Sequence, residues 1–257
     1  MSLREALNLD LAALKADEFE PVTVAVVDSG VDSTHEELEG RIAEAYFIEP
    51  TDDGPVLRKR EGPGNHDAYG HGTAVASIVT RLAPNARIID VAVLDGTNRC
   101  TGDILVAGFA GALEVGAKIV NLSLVVKAKF SRQLADLCEV AYRGNQVVVG
   151  ARRNVPLVDD GFPALLSPTI GVDRESFANP FKVAFAGTSG IEYSAHGDNV
   201  TVAAPGGGHV VLSGTSFATP AVSAICALYL GRFPDLAAFD LKSLLKAQAE
   251  AQAAESD

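Results

Sequence analysis

The sequence predicts an α/β fold: a mostly parallel central sheet with helices on both faces. Three observations carry this. Continuous apolar runs of strand length recur along the chain, VTVAVVD from Val22, IIDVAVLD ending at Asp95, AKIVNLSLVV from Ala117 and NQVVVGA from Asn145. Runs that are apolar throughout, rather than alternating, suit parallel strands buried on both faces. Segments with helical periodicity lie between them, HGTAVASIVTRL from His71, DILVAGFAGALEVG from Asp103 and SRQLADLCEVAYRG from Ser131. Strand and helix in alternation imply βαβ units. Gly116 and Gly144 follow two of these segments, where helix C-caps are placed.

The remaining elements follow in order. Leu3, Leu7, Leu11 and Leu14 recur at three- and four-residue spacing, so residues 1–20 read as an N-terminal helical extension, ending near Asp17 and separated by Pro21 from the main domain at 21–257. Residues 49–68 are expected to be a long irregular surface loop. TIGVD, KVAFAGT and VTVAAPG are expected to be short strands. A long apolar helix follows Ser216, carrying Ala221, Ile225, Leu228 and Leu230, and a last helix from Phe239 runs into a polar tail.

Composition excludes some classes. With 257 residues, 47% hydrophobic and 21% charged, the chain can bury a sizeable core. A formal charge of −12 argues against nucleic acid or an anionic membrane as partner. Three cysteines, Cys100, Cys138 and Cys226, are too few and odd in number for a disulfide framework, so they read as reduced, small buried hydrophobes. Together with an N-terminus lacking an apolar signal segment, this predicts a cytoplasmic setting. No apolar run is long enough to span a bilayer.

The chemistry gathers at three motifs. SGTSFATPAVSA places Ser216 at a loop-to-helix junction, where its backbone N–H is free to bind an anion and the helix dipole favours negative charge. Taken singly, it would be a plain helix cap. Asp28 ends the first buried strand in VVDSGVD, the position at which open α/β sheets place their sites. His71 opens a helix in DAYGHGTAVAS. His35 and His66 carry no sign of a partner, and His196 and His209 read as surface or turn residues rather than ligands.

Three motifs in the order Asp, His, Ser, with these flanks, resemble the subtilisin-like (subtilase) serine protease family over about Val22 to Ala247. The resemblance implies the three-layer subtilisin-like fold, a catalytic triad of Asp28, His71 and Ser216, and a peptide or protein substrate. It also implies an oxyanion hole formed by Asn154, in GARRN, with the Ser216 N–H. The substrate cleft would be lined by Leu124, Val125 and Val126 on one side and Ala151, Arg152 and Arg153 on the other. No cofactor is called for, and no metal. The helix after His71 leaves no room for the calcium loop that many relatives insert there; Asp52 and Asp53 are the loose acidic candidates.

Departures from the family pattern concern specificity. Relatives carry Ser-Leu-Gly-Gly where this chain has Ser123-Leu124-Val125-Val126, and Ala-Gly-Asn where it has Arg152-Arg153-Asn154. Ala74 replaces a second histidine that is not catalytic. Branched methyls and two cations beside the primary pocket imply a selective endopeptidase, acting in processing or maturation, rather than a degradative one. An alternative is a catalytically impaired peptide-binding module; retention of all four catalytic residue types argues against it.

Overall fold

The computed structural model describes residues 19–62, 66–155, 161–187 and 190–254, together with Ala6, Leu9 and Leu11. Apart from Ala6, Leu9 and Leu11, the expected N-terminal helix over Leu3 to Asp17 lies outside this described set. A nine-stranded sheet has the order β3-β2-β4-β1-β5-β6-β7-β9-β8. Its strands are β1 (Val22–Asp28), β2 (Ile42–Thr51), β3 (Gly54–Lys59), β4 (Ala86–Ala92), β5 (Ile119–Leu122), β6 (Val147–Ala151), β7 (Ile170–Glu175), β8 (Val183–Phe185) and β9 (Tyr193–His196). Neighbours pair in parallel except at the two edges, where β3 meets β2 and β8 meets β9 antiparallel. A separate antiparallel hairpin joins β10 (Val200–Ala203) to β11 (His209–Leu212).

The alternation of side chains along β1 divides the core. Val22, Val24 and Val26 face the layer formed by α1 (His71–Leu82), α4 (Thr215–Arg232) and α5 (Ala238–Ala254). Ala25 and Val27 face the opposite layer, formed by α2 (Gly102–Glu114) and α3 (Ser131–Arg143). Both faces of β1 are thus dry, which is why its sequence is apolar at every position before Asp28 except Thr23. In α4 nearly every residue from Thr215 to Gly231 is buried, so it runs through the core rather than over it.

After β1 the chain builds β2, β3 and β4 on one side of it and then crosses to β5 on the other. Strand order therefore reverses at β1, and the crevice at its carboxyl end is a topological switch point, where open α/β sheets bind ligands. Asp28 sits at that end.

One expectation fails clearly. Most of residues 49–68 are not irregular: β2 and β3 form an antiparallel hairpin with Asp52 and Asp53 in its turn. Pro50 and Pro55 face each other in the register. Prolines argue against a central strand but are tolerated on an edge: Pro55 lies on the edge strand β3, and Pro50 lies beyond Phe47, the last β2 residue paired with β4. Cross-strand ion pairs Glu49–Arg58 and Glu44–Lys59 join the two strands.

His35 also departs from expectation. It is buried, its Nε2 lies 2.9 Å from the Gly208 carbonyl, and its ring meets that of His209 edge-on at 5.3 Å. His209, exposed as expected, has Nε2 2.5 Å from Glu37. Cys138 and Cys226 are buried free thiols and Cys100 a half-buried one. Burial pushes the Cys226 thiol up to about 12 and the other two to about 11, which keeps all three neutral.

Candidate active site

Asp28 is fully buried, and its Oδ1 accepts from the backbone N–H of Ser29 at 2.8 Å and from His71 Nδ1 at 2.7 Å. A carboxylate can only accept, so Nδ1 carries the proton and Nε2 is left with its lone pair. His71 is the first residue of α1, and its ring lies 5.6 Å from that of Phe217, the residue after Ser216. Burial opposes a charged imidazole here. The Asp28 carboxylate, through its charge and its hydrogen bond, and the charge of Asp67 outweigh burial and hold His71 above its ordinary pKa.

Close backbone approach makes this junction. A Cβ on Gly72 would lie 2.1 Å from the Gly30 carbonyl oxygen, so only glycine lets α1 start against the loop that follows β1. Gly70, at φ 99° in the left-handed region, turns the chain into the helix.

Ser216 lies in the first turn of α4, where N–H groups have no intrahelical acceptor. Its hydroxyl donates to the Ser123 carbonyl at 3.0 Å, not to His71. Ser123 returns the contact, its Oγ donating to the Ser216 carbonyl at 3.0 Å. Two buried side chains extend this chain of bonds: Asn121 Nδ2 donates to Ser123 Oγ, and Ser223 Oγ to Asn121 Oδ1, each at 2.9 Å.

Asn154 is exposed, and its Oδ1 accepts from the Thr215 backbone N–H at 3.0 Å and from Thr215 Oγ1 at 3.2 Å. The Thr215 N–H is an obligate donor, which fixes the amide's orientation and leaves Nδ2 as the group able to bind an anion. The residue expected to complete an oxyanion hole is thus tied to the residue preceding Ser216.

The expected cleft residues divide. Leu124, Val125 and Val126 are half-buried after β5, and Ala151 is buried at the end of β6. Val126 pairs with Phe162 as an isolated antiparallel bridge, its N–H donating to the Phe162 carbonyl at 3.2 Å. Its carbonyl accepts from the Arg153 guanidinium at 3.3 Å. Arg152 forms an ion pair with Asp173 of β7. Sequence reasoning missed Ser123, Asn121, Ser223, Asp67 and Asp173 as neighbours of the site. Asp67 alone had a local signal, an acidic residue just before a helix start. Among the described residues no cluster of His, Cys, Asp or Glu could hold a metal ion.

An Asp–His pair at a switch point and a serine at a helix N-terminus are the arrangement expected of a subtilisin-like serine endopeptidase. The profile of the Subtilase family matches residues 20–257, and the chain belongs to that family. It is 32% identical over 217 residues to thermitase of Thermoactinomyces vulgaris, covering 80% of this chain and 73% of that one. Fervidolysin of Fervidobacterium pennivorans is 29% identical over 265 residues; the match covers 88% of this chain, which spans only 37% of that relative. Among solved structures, a cold adapted subtilisin-like serine proteinase superposes with a TM-score of 0.69 at 25% identity, covering 90% of this chain and 82% of that one. The prenylagaramide maturation protease PagA superposes with a TM-score of 0.62 at 24% identity, covering 88% and 79%.

Proposed function

We propose that this chain hydrolyses peptide bonds through Asp28, His71 and Ser216, with Asn154 in the oxyanion hole, and that it is a selective processing enzyme. The observation that carries the chemistry is the 2.7 Å bond between His71 Nδ1 and buried Asp28, which presents Nε2 as a base beside the helix bearing Ser216. Rotation about the Ser216 Cα–Cβ bond brings its hydroxyl from the Ser123 carbonyl to Nε2; such bonds commonly tighten when substrate binds. Oγ then attacks the scissile carbonyl as Nε2 takes the proton. The carbonyl oxygen becomes an oxyanion held by the Ser216 N–H and Asn154 Nδ2. Asp28 stabilises the imidazolium, which gives its proton to the leaving amine. Water, deprotonated by the same imidazole, releases the acyl group and restores the serine.

Selectivity is supported by the wall after β5. Both backbone groups of Val126 are already engaged, by Phe162 and by Arg153, and so compete with pairing to a peptide strand. Val125 and Val126 add branched methyls to the same wall. PagA, similar in fold, is described as a maturation protease, and a processing role would suit a narrowed cleft here.

The test is labelling by a fluorophosphonate probe together with hydrolysis of a peptide library. Wild type should be labelled and active. Ser216→Ala should lose both while keeping the fold, and Asn154→Ala should lose roughly 10²–10³ in turnover. Cleavage by Ser216→Ala near the wild-type rate would remove the triad reading. Peptide binding without labelling would favour the binding-module alternative.

A further inference from the structure

Behind the Asp28–His71 pair lies a second buried carboxylate that the mechanism above does not use. Asp67 is 3% exposed. Its Oδ1 accepts from Ser29 Oγ at 2.9 Å, Gly70 N at 2.7 Å and Tyr69 N at 3.2 Å. Its Oδ2 accepts from Thr73 N at 2.9 Å and Thr73 Oγ1 at 2.6 Å. Ser29 Oγ, its proton given to Asp67, accepts in turn from Gly72 N at 2.9 Å. The carboxylate is thus saturated by neutral donors, and among the described residues no ion pair joins it to a lysine or arginine.

These donors come from both sides of the catalytic pair. Ser29 follows Asp28 directly. Gly70, Gly72 and Thr73 flank His71 in the start of α1. One side chain therefore ties the end of β1 to the N-terminus of α1, within two residues of each member of the pair. Its negative charge also counts. A helix N-terminus disfavours a cation, and so does burial. The groups facing His71 are Asp28 from the end of β1, the Phe217 ring from α4, and Asp67 from the segment before α1. Of these, Asp28 and Asp67 favour the imidazolium.

We propose that Asp67 is a positioning residue that sets the spacing of Asp28 and His71 through Ser29 and the α1 N-terminus, and supplies a second negative charge for the imidazolium formed in the reaction. This rests on the triad reading. Asparagine cannot replace the carboxylate: each of its oxygens accepts at least one backbone N–H, so an amide NH₂ at either place would face a donor.

The experiment uses five variants of the whole chain. NMR follows the His71 ring through a pH titration in Ser216→Ala, with and without Asp67→Asn. Steady-state kinetics across pH compare wild type with Asp67→Asn, Ser29→Ala and Thr73→Val. Loss of Asp67's charge should move the His71 titration to lower pH and carry the acid limb of kcat with it. Ser29→Ala and Thr73→Val each remove one hydroxyl donor but keep the charge; each should lower kcat by about 10- to 100-fold, the scale of catalytic misplacement, with KM and the His71 titration held. An unchanged His71 titration in the Asp67→Asn background overturns the proposal, as does wild-type kcat in both hydroxyl variants. If Asp67→Asn does not fold, the hydroxyl variants alone decide. Activity in Ser216→Ala would instead sink the triad reading, leaving the titration to judge Asp67.

Discussion

Ser216 owes its backbone geometry to a residue four positions on. Pro220 has no N–H, so the Ser216 carbonyl loses the helical donor it would otherwise have. Ser123 Oγ fills the vacancy, and Ser123 O takes the Ser216 hydroxyl in the resting state. Nucleophile and strand are thus joined twice, and the hydroxyl must leave one partner to reach the base. That base sets the pH dependence. Only neutral His71 can accept the serine proton, and its pKa lies above the ordinary 6.5, so activity should rise with pH through a midpoint above 6.5. The sign for stability is opposite. A group whose folded pKa is raised contributes stability fully below its unfolded pKa and loses it as pH rises through the folded one. The contribution of the Asp28–His71 pair should therefore decline over the window in which turnover increases. A pH–kcat profile alongside denaturant melts checks both, and a profile flat from about pH 5 to 9 would contradict the imidazole base.

Individual elements decide what the site admits. Strand β5 ends in Leu122, and in the proposed cleft Leu124 to Val126 form one wall, with the backbone of Val126 tied to Phe162 and Arg153. After β6, Arg152 is held by Asp173 of the neighbouring strand β7, so its charge is already paired. A wall of branched side chains and an arginine already paired predict fastest cleavage after small P1 residues, with no advantage for glutamate. Peptides differing only at P1, assayed with wild type and Arg152→Ala, check this. Fastest cleavage after Phe or Lys would refute the narrowed pocket, and a Glu preference lost in Arg152→Ala would restore that arginine as a P1 determinant.

At the scale of the whole molecule, α1 runs unbroken from His71 to Leu82 and leads by a short turn into β4. No loop interrupts it to cage a cation, and Asp52 and Asp53 lie in the turn of the β2–β3 hairpin. The protein should keep its melting temperature on addition of a chelator. A fall of more than about 10 °C, roughly 2.5–5 kcal/mol for a domain of this size, would reveal a cation site that the arrangement does not predict. Activity in chelator should likewise persist, since the proposed base, nucleophile and oxyanion donors are all side-chain or backbone groups.

Legibility in the sequence tracked the range of the forces involved. The strands β1, β4, β5 and β6, the four helices from α1 to α4, and the positions of Asp28, His71 and Ser216 could be read from contiguous stretches. Each is specified locally: an apolar run buried on both faces, a helical period, a reactive side chain at the end of its element. The resemblance to a family added Asn154, which no local pattern singles out. The β2–β3 hairpin was hidden because its edge position lets prolines and charged residues stand where a strand pattern would forbid them. His35 looked solitary because its partners, Gly208 and His209, lie far along the chain. The same holds for Ser123 with Ser216, 93 residues apart, and for Arg152 with Asp173, 21 apart. The sequence by itself determined which strand and helix ends present Asp28, His71 and Ser216. Only the tertiary structure decided which carbonyl holds the resting serine, which carboxylate stands behind the histidine and which charges are already paired, because hydrogen bonds and ion pairs depend on distances of a few ångströms between segments that chain order leaves unconstrained.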